Sequence, residues 1–225
     1  IKDLVFKEFI KNGFASSNNN RIWNVAERKF LYLTPELAKG FLNLRRFDLY
    51  RKKIVDREIA LIHAHPLKLA KLVGKEPFNL FDVFCGDGKK VCEFIRALGD
   101  DTEIRYCPAN VNEYLVNLAM KNVKKDNFKC VVDFKSCLCE GNAKSLGSLI
   151  ARLRNRKYQK NVILLLGSVL ASYEINGYLF ELSRKMLAGD VLIIGNGIRK
   201  GERLVNLDTY KNKIFDKWFS SLVKG

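Results

Sequence analysis

The run Asp82-Val83-Phe84-Cys85-Gly86-Asp87-Gly88 closes an apolar stretch and opens a helical one. Glycines at such a turn let a ligand approach the backbone, and the next helix offers amide N–H groups without partners. A carboxylate at Asp82 and glycines at 86 and 88 suit a ligand of nucleoside type. The run is neither a Walker loop nor a full Gly-x-Gly-x-x-Gly. Phe84 takes the first glycine place, and no third glycine follows within residues 89–92. ATP and dinucleotide binding are both weakened on that ground.

Three more positions repeat the logic, because open α/β sheets bind ligands at the carboxyl ends of their strands. Asn110 and Val111 follow the second apolar run, where nucleoside-binding folds place a ribose acceptor. An amide at Asn110 accepts with its oxygen and donates with its nitrogen; helix capping is its competing role. Asp133-Phe134 ends the third run and offers an acceptor and a flat wall to a base, although Asp is also a common turn residue. Leu166-Gly167-Ser168 ends the fourth run and turns toward the same crevice. Each position is weak alone. The first run is closest to the acid-x-Gly-x-Gly-x-Gly nucleoside motif of S-adenosylmethionine (SAM)-dependent methyltransferases, and the four positions in order make SAM binding the best single explanation.

Positioning those residues requires strands alternating with helices. From Pro77 the pattern predicts strands at 79–84, 103–107, 128–132, 161–166 and 191–194. The helices between them are expected at 89–98, 111–123, 143–154 and 174–187. Such alternation predicts a mostly parallel Rossmann-like sheet covered on both faces. Residues 1–75 read as a helical region or lid, and residues 76–225 as the sheet domain. Leu4, Phe6, Phe9 and Ile10 mark an opening helix ended near Asn12-Gly13, and residues 16–20 form a polar loop. Thr34-Pro35-Glu36 starts the next helix. A longer helix over Ile54, Ile59, Ile62, Leu69 and Leu72 breaks near Pro66, and residues 208–222 form a last amphipathic helix. His63 and His65 fall on a helix surface, far from every strand end, and Trp23 and Trp218 read as packing residues.

The chain has 225 residues, 48% hydrophobic and 28% charged, which excludes disordered and fibrous classes. Its longest apolar run, 162–166, is strand-sized, so no membrane span is expected. Forty Lys/Arg against 24 Asp/Glu give a net charge of +16, which favours anionic partners such as RNA or an acidic protein. The charge is spread: residues 1–75 carry 16 Lys/Arg against 7 Asp/Glu, and the remainder carries 24 against 17. A solvated lysine-rich surface accounts for it slightly better than a dedicated nucleic-acid face. The six cysteines form no Cys-x-x-Cys pair, and Cys137 with Cys139 lacks the further ligands a zinc site needs. No metal is therefore expected. With no signal peptide in view, the expected compartment is the reducing cytoplasm.

On these residues the chain resembles the histidine-specific SAM-dependent methyltransferases, which trimethylate the histidine α-amine. The similarity runs from about Tyr32 to Tyr210. Residues 47–51 and 56–62 are similar to the family's Pro-Glu-Tyr-Tyr-Pro segment and the helix after it. Residues 82–98 match its first glycine motif without a gap, with Lys90 at the SAM-contacting lysine. Tyr106-x-Pro108-x-Asn110-Val111 is similar to its Tyr-x-Pro-x-Asp-Val, and Asp133-Phe134 to its adenine-side Asp-Phe. Leu166-Gly167-Ser168 and Gly189-Asp190 are similar to its Leu-Gly-Ser and Gly-Asp pair.

The resemblance implies a Rossmann-like class I methyltransferase that binds SAM and releases S-adenosylhomocysteine (SAH). It implies cofactor contacts at Tyr50, Asp82, Cys85, Gly86, Gly88, Lys90, Asn110, Val111, Asp133 and Phe134. Acceptor contacts are implied at Tyr50, Ser168 and Ser172, with a histidine-like amine as acceptor; no catalytic residue is assigned. The sequence departs from the family at four places. Asn110 replaces an acid, Phe84 replaces a glycine, Leu49 replaces a tyrosine, and Ser172 replaces an asparagine. The family's substrate lobe and last two strands have no counterpart, so an incomplete sheet edge, filled by a second subunit or a dimer, is also expected. Two alternatives stay open: a SAM-dependent RNA methyltransferase, favoured by the basic run 152–157, and a non-catalytic SAM-fold protein that binds a partner.

Overall fold

A computed structural model describes residues 28–197 and 210–224 continuously, and before them residues 3, 6, 7, 10, 11, 13–17 and 20–23. Phe6 and Ile10 are helical, as the opening pattern predicts, whereas Leu4 and Phe9 lie outside the described residues. The expected polar loop at 16–20 is instead mostly strand. β1 (Phe14–Ser17) pairs antiparallel with β2 (Asn20–Trp23), with Ser17 opposite Asn20. Polar composition hid this hairpin, because two four-residue strands show no apolar alternation long enough to read.

A 3-10 turn (Arg28–Tyr32) leads into α1 (Pro35–Arg46). Thr34 caps α1, its Oγ1 accepting from the Leu37 N–H at 3.2 Å, and Pro35 sits where no amide donor is needed. The long helix predicted next is divided. One α-turn (Asp48–Tyr50) and a π-turn (Arg51–Val55) precede α2 (Asp56–Ala64), and Pro66 starts α3 (Pro66–Val73) after the break at His65.

The sheet follows. Strands β3 (Phe78–Val83), β4 (Ile104–Asn110), β5 (Val131–Phe134), β6 (Cys137–Leu138), β7 (Lys160–Leu165) and β8 (Val191–Ile194) are all parallel. Their order is β5-β4-β3-β7-β8, with β6 continuing beside β4. β4 runs three residues past its expected end at Cys107 and includes Pro108. That proline lies where the neighbour of β4 changes from β5 to β6, so its missing N–H leaves no ladder bond broken.

Crossover helices α4 (Lys89–Leu98), α5 (Glu113–Lys125), α6 (Ala143–Leu153) and α7 (Ile175–Ser183) cover both faces. Phe78 and Leu80 point to the α2–α5 side, while Phe81 and Val83 point to the α6–α7 side, as the two-residue strand period requires. A third apolar cluster joins α1 to α8 (Lys213–Lys224) through Leu37, Leu42, Trp218 and Leu222. The α8 start predicted at 208 falls partly outside the described residues; Asn212 caps the helix, accepting from the N–H groups of Ile214 and Phe215.

Polar links fix the layers. Asn79, Arg105 and Asn161 lie side by side on three central strands, Asn79 donating to Asn161 at 2.8 Å and Arg105 donating to Asn79 at 2.7 Å. Asp190, with no side-chain exposure, accepts two bonds from Arg154 and the backbone N–H groups of Asn161 and Leu187. The Gly-Asp pair of the sequence motif is thus a structural clasp at the start of β8.

Candidate active site

The turn after β3 makes three left-handed steps before α4 begins. Phe84 has φ 55° and Gly86 φ 58°, and Gly88, the residue before α4, has φ 75°. A non-glycine residue in that region costs about 1–2 kcal/mol. Burial offsets this at Phe84, whose ring packs so closely on Gly141 that a Cβ there would collide with it. Gly88 has a packing reason as well, since a Cβ would come 3.0 Å from the Ala119 Cα on α5. Asn122 of α5 donates to the Asp87 carbonyl at 2.7 Å and holds the turn from outside.

Asp82 stands at the floor of this turn, 5% exposed, and accepts from the Tyr106 hydroxyl at 3.0 Å. Burial pushes its carboxyl up to about 7; the Tyr106 bond and the nearby Lys90 and Arg45 cations pull the other way. Lys90 is held against Glu58 of α2, and burial lowers its ammonium from the usual lysine range. The other oxygen of Glu58 accepts from the Gly167 N–H at 2.8 Å. Gly195 is required beside it, because a Cβ there would collide with Glu58 Oε1. Arg45, on the last turn of α1, bridges to Asp87 at 2.6 Å and lies over Gly86, 2.5 Å from where a Cβ would stand.

Arg45, Asp82 and Lys90 line one cleft together with Tyr32, Phe41, Tyr50, Cys85, Asn110 and Val169. Asn110 Oδ1 accepts from the Asn112 N–H at 3.0 Å, and Asn110 Nδ2 donates to none of the described residues. The cap of α5 is Asn112, which accepts from Tyr114 N and donates to the Tyr32 carbonyl at 2.6 Å. Capping therefore does not account for Asn110. Cys85, its thiol pushed up by burial, lines the cleft wall.

Of the residues expected at the cofactor, Tyr50, Asp82, Cys85, Lys90 and Asn110 line this cleft, Gly86 and Val111 lie beside lining residues in the chain, and Gly88 is not next to one. Asp133 and Phe134 are not among the lining residues. The Asp133 carboxyl accepts from the Phe134 N–H at 2.7 Å, and the Phe134 ring stands edge-on to Tyr106 at 6.2 Å. Ser168 and Ser172 line a second cleft of about 1350 Å³ that shares Tyr32, Phe41, Tyr50 and Gly167 with the first.

Arg45 and Glu58 were missed. Each lies on a helical stripe with apolar neighbours: Arg45 four residues after Phe41, and Glu58 between Ile54 and Ile62. A charge at an apolar position was the readable signal. Among the described residues no cluster of His, Cys, Asp and Glu is placed to hold a metal ion, and no helix is long and apolar enough to cross a membrane.

A family model described as histidine-specific methyltransferase, SAM-dependent, matches residues 50–214. No curated protein sequence matches the chain. Among solved structures, an O-methyltransferase from Bacillus cereus in complex with SAH is similar at TM-score 0.44 and 14% identity, covering 85% of this chain and 78% of that one. A putative S-adenosyl-L-methionine-dependent methyltransferase from Methanococcus maripaludis is similar at TM-score 0.42 and 14% identity, covering 93% of this chain and 75% of that one.

Proposed function

The chain belongs to the histidine-specific, SAM-dependent methyltransferase family, and from that premise we propose that it methylates the amine of a small molecule, histidine-like amino acids first. The observation that carries this reading is the convergence of Asp82, Lys90, Arg45 and Asn110 on one cleft beside the left-handed glycine turn. SAM, when bound, supplies a methyl group on a sulfonium, already a good leaving group.

The chain's own residues then bind, orient and exclude water. Asp82 would take the donor's ammonium end, where a cation favours the ionised carboxylate. Arg45 and Lys90 would take its carboxylate, and Asn110 Nδ2 a ribose hydroxyl. Asp133 and Phe134 remain the adenine-side assignment. Tyr50, Ser168 and Ser172 would face the acceptor across the opening between the two clefts. An amine held beside a sulfonium is disfavoured in its protonated form, which leaves the lone pair available.

The test is to incubate the chain with SAM and histidine and to quantify SAH together with methylated histidine. Turnover that Asp82→Asn abolishes supports the reading. SAH binding without turnover on a panel of amines overturns it in favour of a partner-binding, non-catalytic role, to which Asn110 and Phe84 also point as departures from the family motif. The RNA alternative draws less support from the basic run 152–157 than its composition promised. Arg154 is committed to Asp190, and Lys157 reaches Glu103 at 2.6 Å. A cytoplasmic location stays part of the proposal.

A further inference from the structure

Six aromatic rings follow one another around the second cleft. Tyr50 meets Tyr210 at 5.6 Å, Tyr210 meets Phe215 at 5.5 Å, and Phe215 meets Trp218 at 5.9 Å, each near perpendicular. Trp218 meets Phe41 at 5.6 Å, and Phe41 meets Tyr32 at 5.0 Å. The chain of rings draws on α1, the turn before it, the turn before α2, and the α8 end of the protein. Three of its members, Tyr32, Phe41 and Tyr50, also line the cofactor cleft, so the ring wall ends at the place of methyl transfer. Among the described residues lining the second cleft there is no Lys, Arg, Asp or Glu.

We infer that this ring-walled cleft holds the non-reacting half of the acceptor, and that the acceptor is an aromatic amine selected by its ring and not by a carboxylate. The inference rests on the methyl-transfer reading and replaces the amino-acid acceptor by an aromatic amine without the carboxylate. Rings offer a flat ligand large contact area and edge-to-face geometry worth about 0.5–1.5 kcal/mol per pair. An amino-acid carboxylate would meet no Lys or Arg among the described residues lining this cleft, and an amine without that carboxylate needs none. The same rings favour the product, because aromatic faces attract methylated ammonium cations. In the transfer, the acceptor nitrogen's lone pair forms the new N–C bond and the S–C electron pair stays on sulfur. The ammonium so formed gives a proton to water before any second transfer. Phe215 and Trp218 belong to α8, of which the sequence reading assigns Trp218 to packing, so the C-terminal helix becomes part of the acceptor site.

The experiment is calorimetric titration of the SAH-saturated chain with tyramine, L-tyrosine, histamine, L-histidine and pentylamine. Tyramine and histamine are expected to bind at least as tightly as their amino acids and about tenfold more tightly than pentylamine. Phe215→Ala is expected to weaken tyramine about 3–10-fold, the ring-pair energy expressed as affinity. SAH affinity should stay within about twofold, and Phe215→Tyr should restore the tyramine affinity. Phe215 is only half-buried, which favours a folded variant. Binding of the amino acids but not the amines overturns the inference, as does pentylamine equal to tyramine. Equal losses of SAH and tyramine in Phe215→Ala overturn it too, since they mark a structural role. SAH binding with any of those results leaves the methyl-transfer reading standing, whereas a folded chain that binds no SAH removes both.

Discussion

At the scale of single residues, the site is a set of buried charges whose protonation the fold controls. Asp82 has its carboxyl pushed up to about 7 by burial, above the ordinary 3.8, so the folded chain holds a proton there that the unfolded chain releases. Stability from this group is therefore full below about pH 4 and is lost as pH rises toward 7. Asp82→Asn is expected to raise the melting temperature more at pH 8 than at pH 5, where part of this stability is still present, which a calorimetric scan at both values checks. Glu58 is the ion-pair partner of the buried Lys90. Glu58→Gln leaves Lys90 without its counter-charge and is expected to cost about 3 kcal/mol, read as a lower urea midpoint at unchanged slope. Asp82, Lys90 and Asn110, which line one cleft, were legible because each sits at a fixed place in a strand–turn–helix unit. Arg45 and Glu58 were not, because a charge on an apolar helix face gives no hint of which loop it will meet.

Among the elements, the four crossover helices and the apolar strands were readable in kind and order, since their periodicity and caps are local, but α7 ends four residues before its expected limit, β4 runs three past its own, and β5 starts three later than expected. The α4 limits agree with the pattern at both ends, helped by Gly88 before it and Gly99 after it. β6 and the β1–β2 hairpin escaped because two or four residues carry no period. The break of the long helix at Pro66 was legible; the π-turn before α2 was not, since it depends on how Tyr50 and Val55 enter the third cluster. That cluster is where α8 meets α1. A Cβ at Gly40 would stand 2.5 Å from Trp218 Cδ1, so Gly40→Ala forces the helices apart. Overpacking of this kind costs about 1–3 kcal/mol. The expected outcome is a lowered unfolding midpoint, with weaker binding of aromatic amines than of SAH.

For the whole molecule, the net charge of +16 is the feature that sequence reading leaves most open. Several cations of the basic segments are spent internally: Arg154 on Asp190, Arg96 on Glu93 and Asp126, and Arg45 on Asp87. The remainder is a diffuse field. RNA binding is accordingly expected to stay in the non-specific range of about 10⁻⁴–10⁻⁶ M and to collapse as salt rises, which a fluorescence titration at two ionic strengths checks. Submicromolar RNA affinity that survives salt would restore the RNA alternative. The expected partner at the sheet edge stays a proposal; among the described residues β8 is an edge strand, and sizing of the protein in solution tests it.

The central claim is that the cleft beneath Arg45, Asp82, Lys90 and Asn110 binds the methyl donor. Calorimetric titration of the intact chain and of Asp82→Asn with SAH tests it most directly, because that substitution is expected to leave the fold at least as stable. The account predicts saturable one-site binding, weakened at least about tenfold in the variant, equivalent to about 1.4 kcal/mol. A folded wild-type chain that takes up no SAH, or a variant that binds it equally well, would contradict the account.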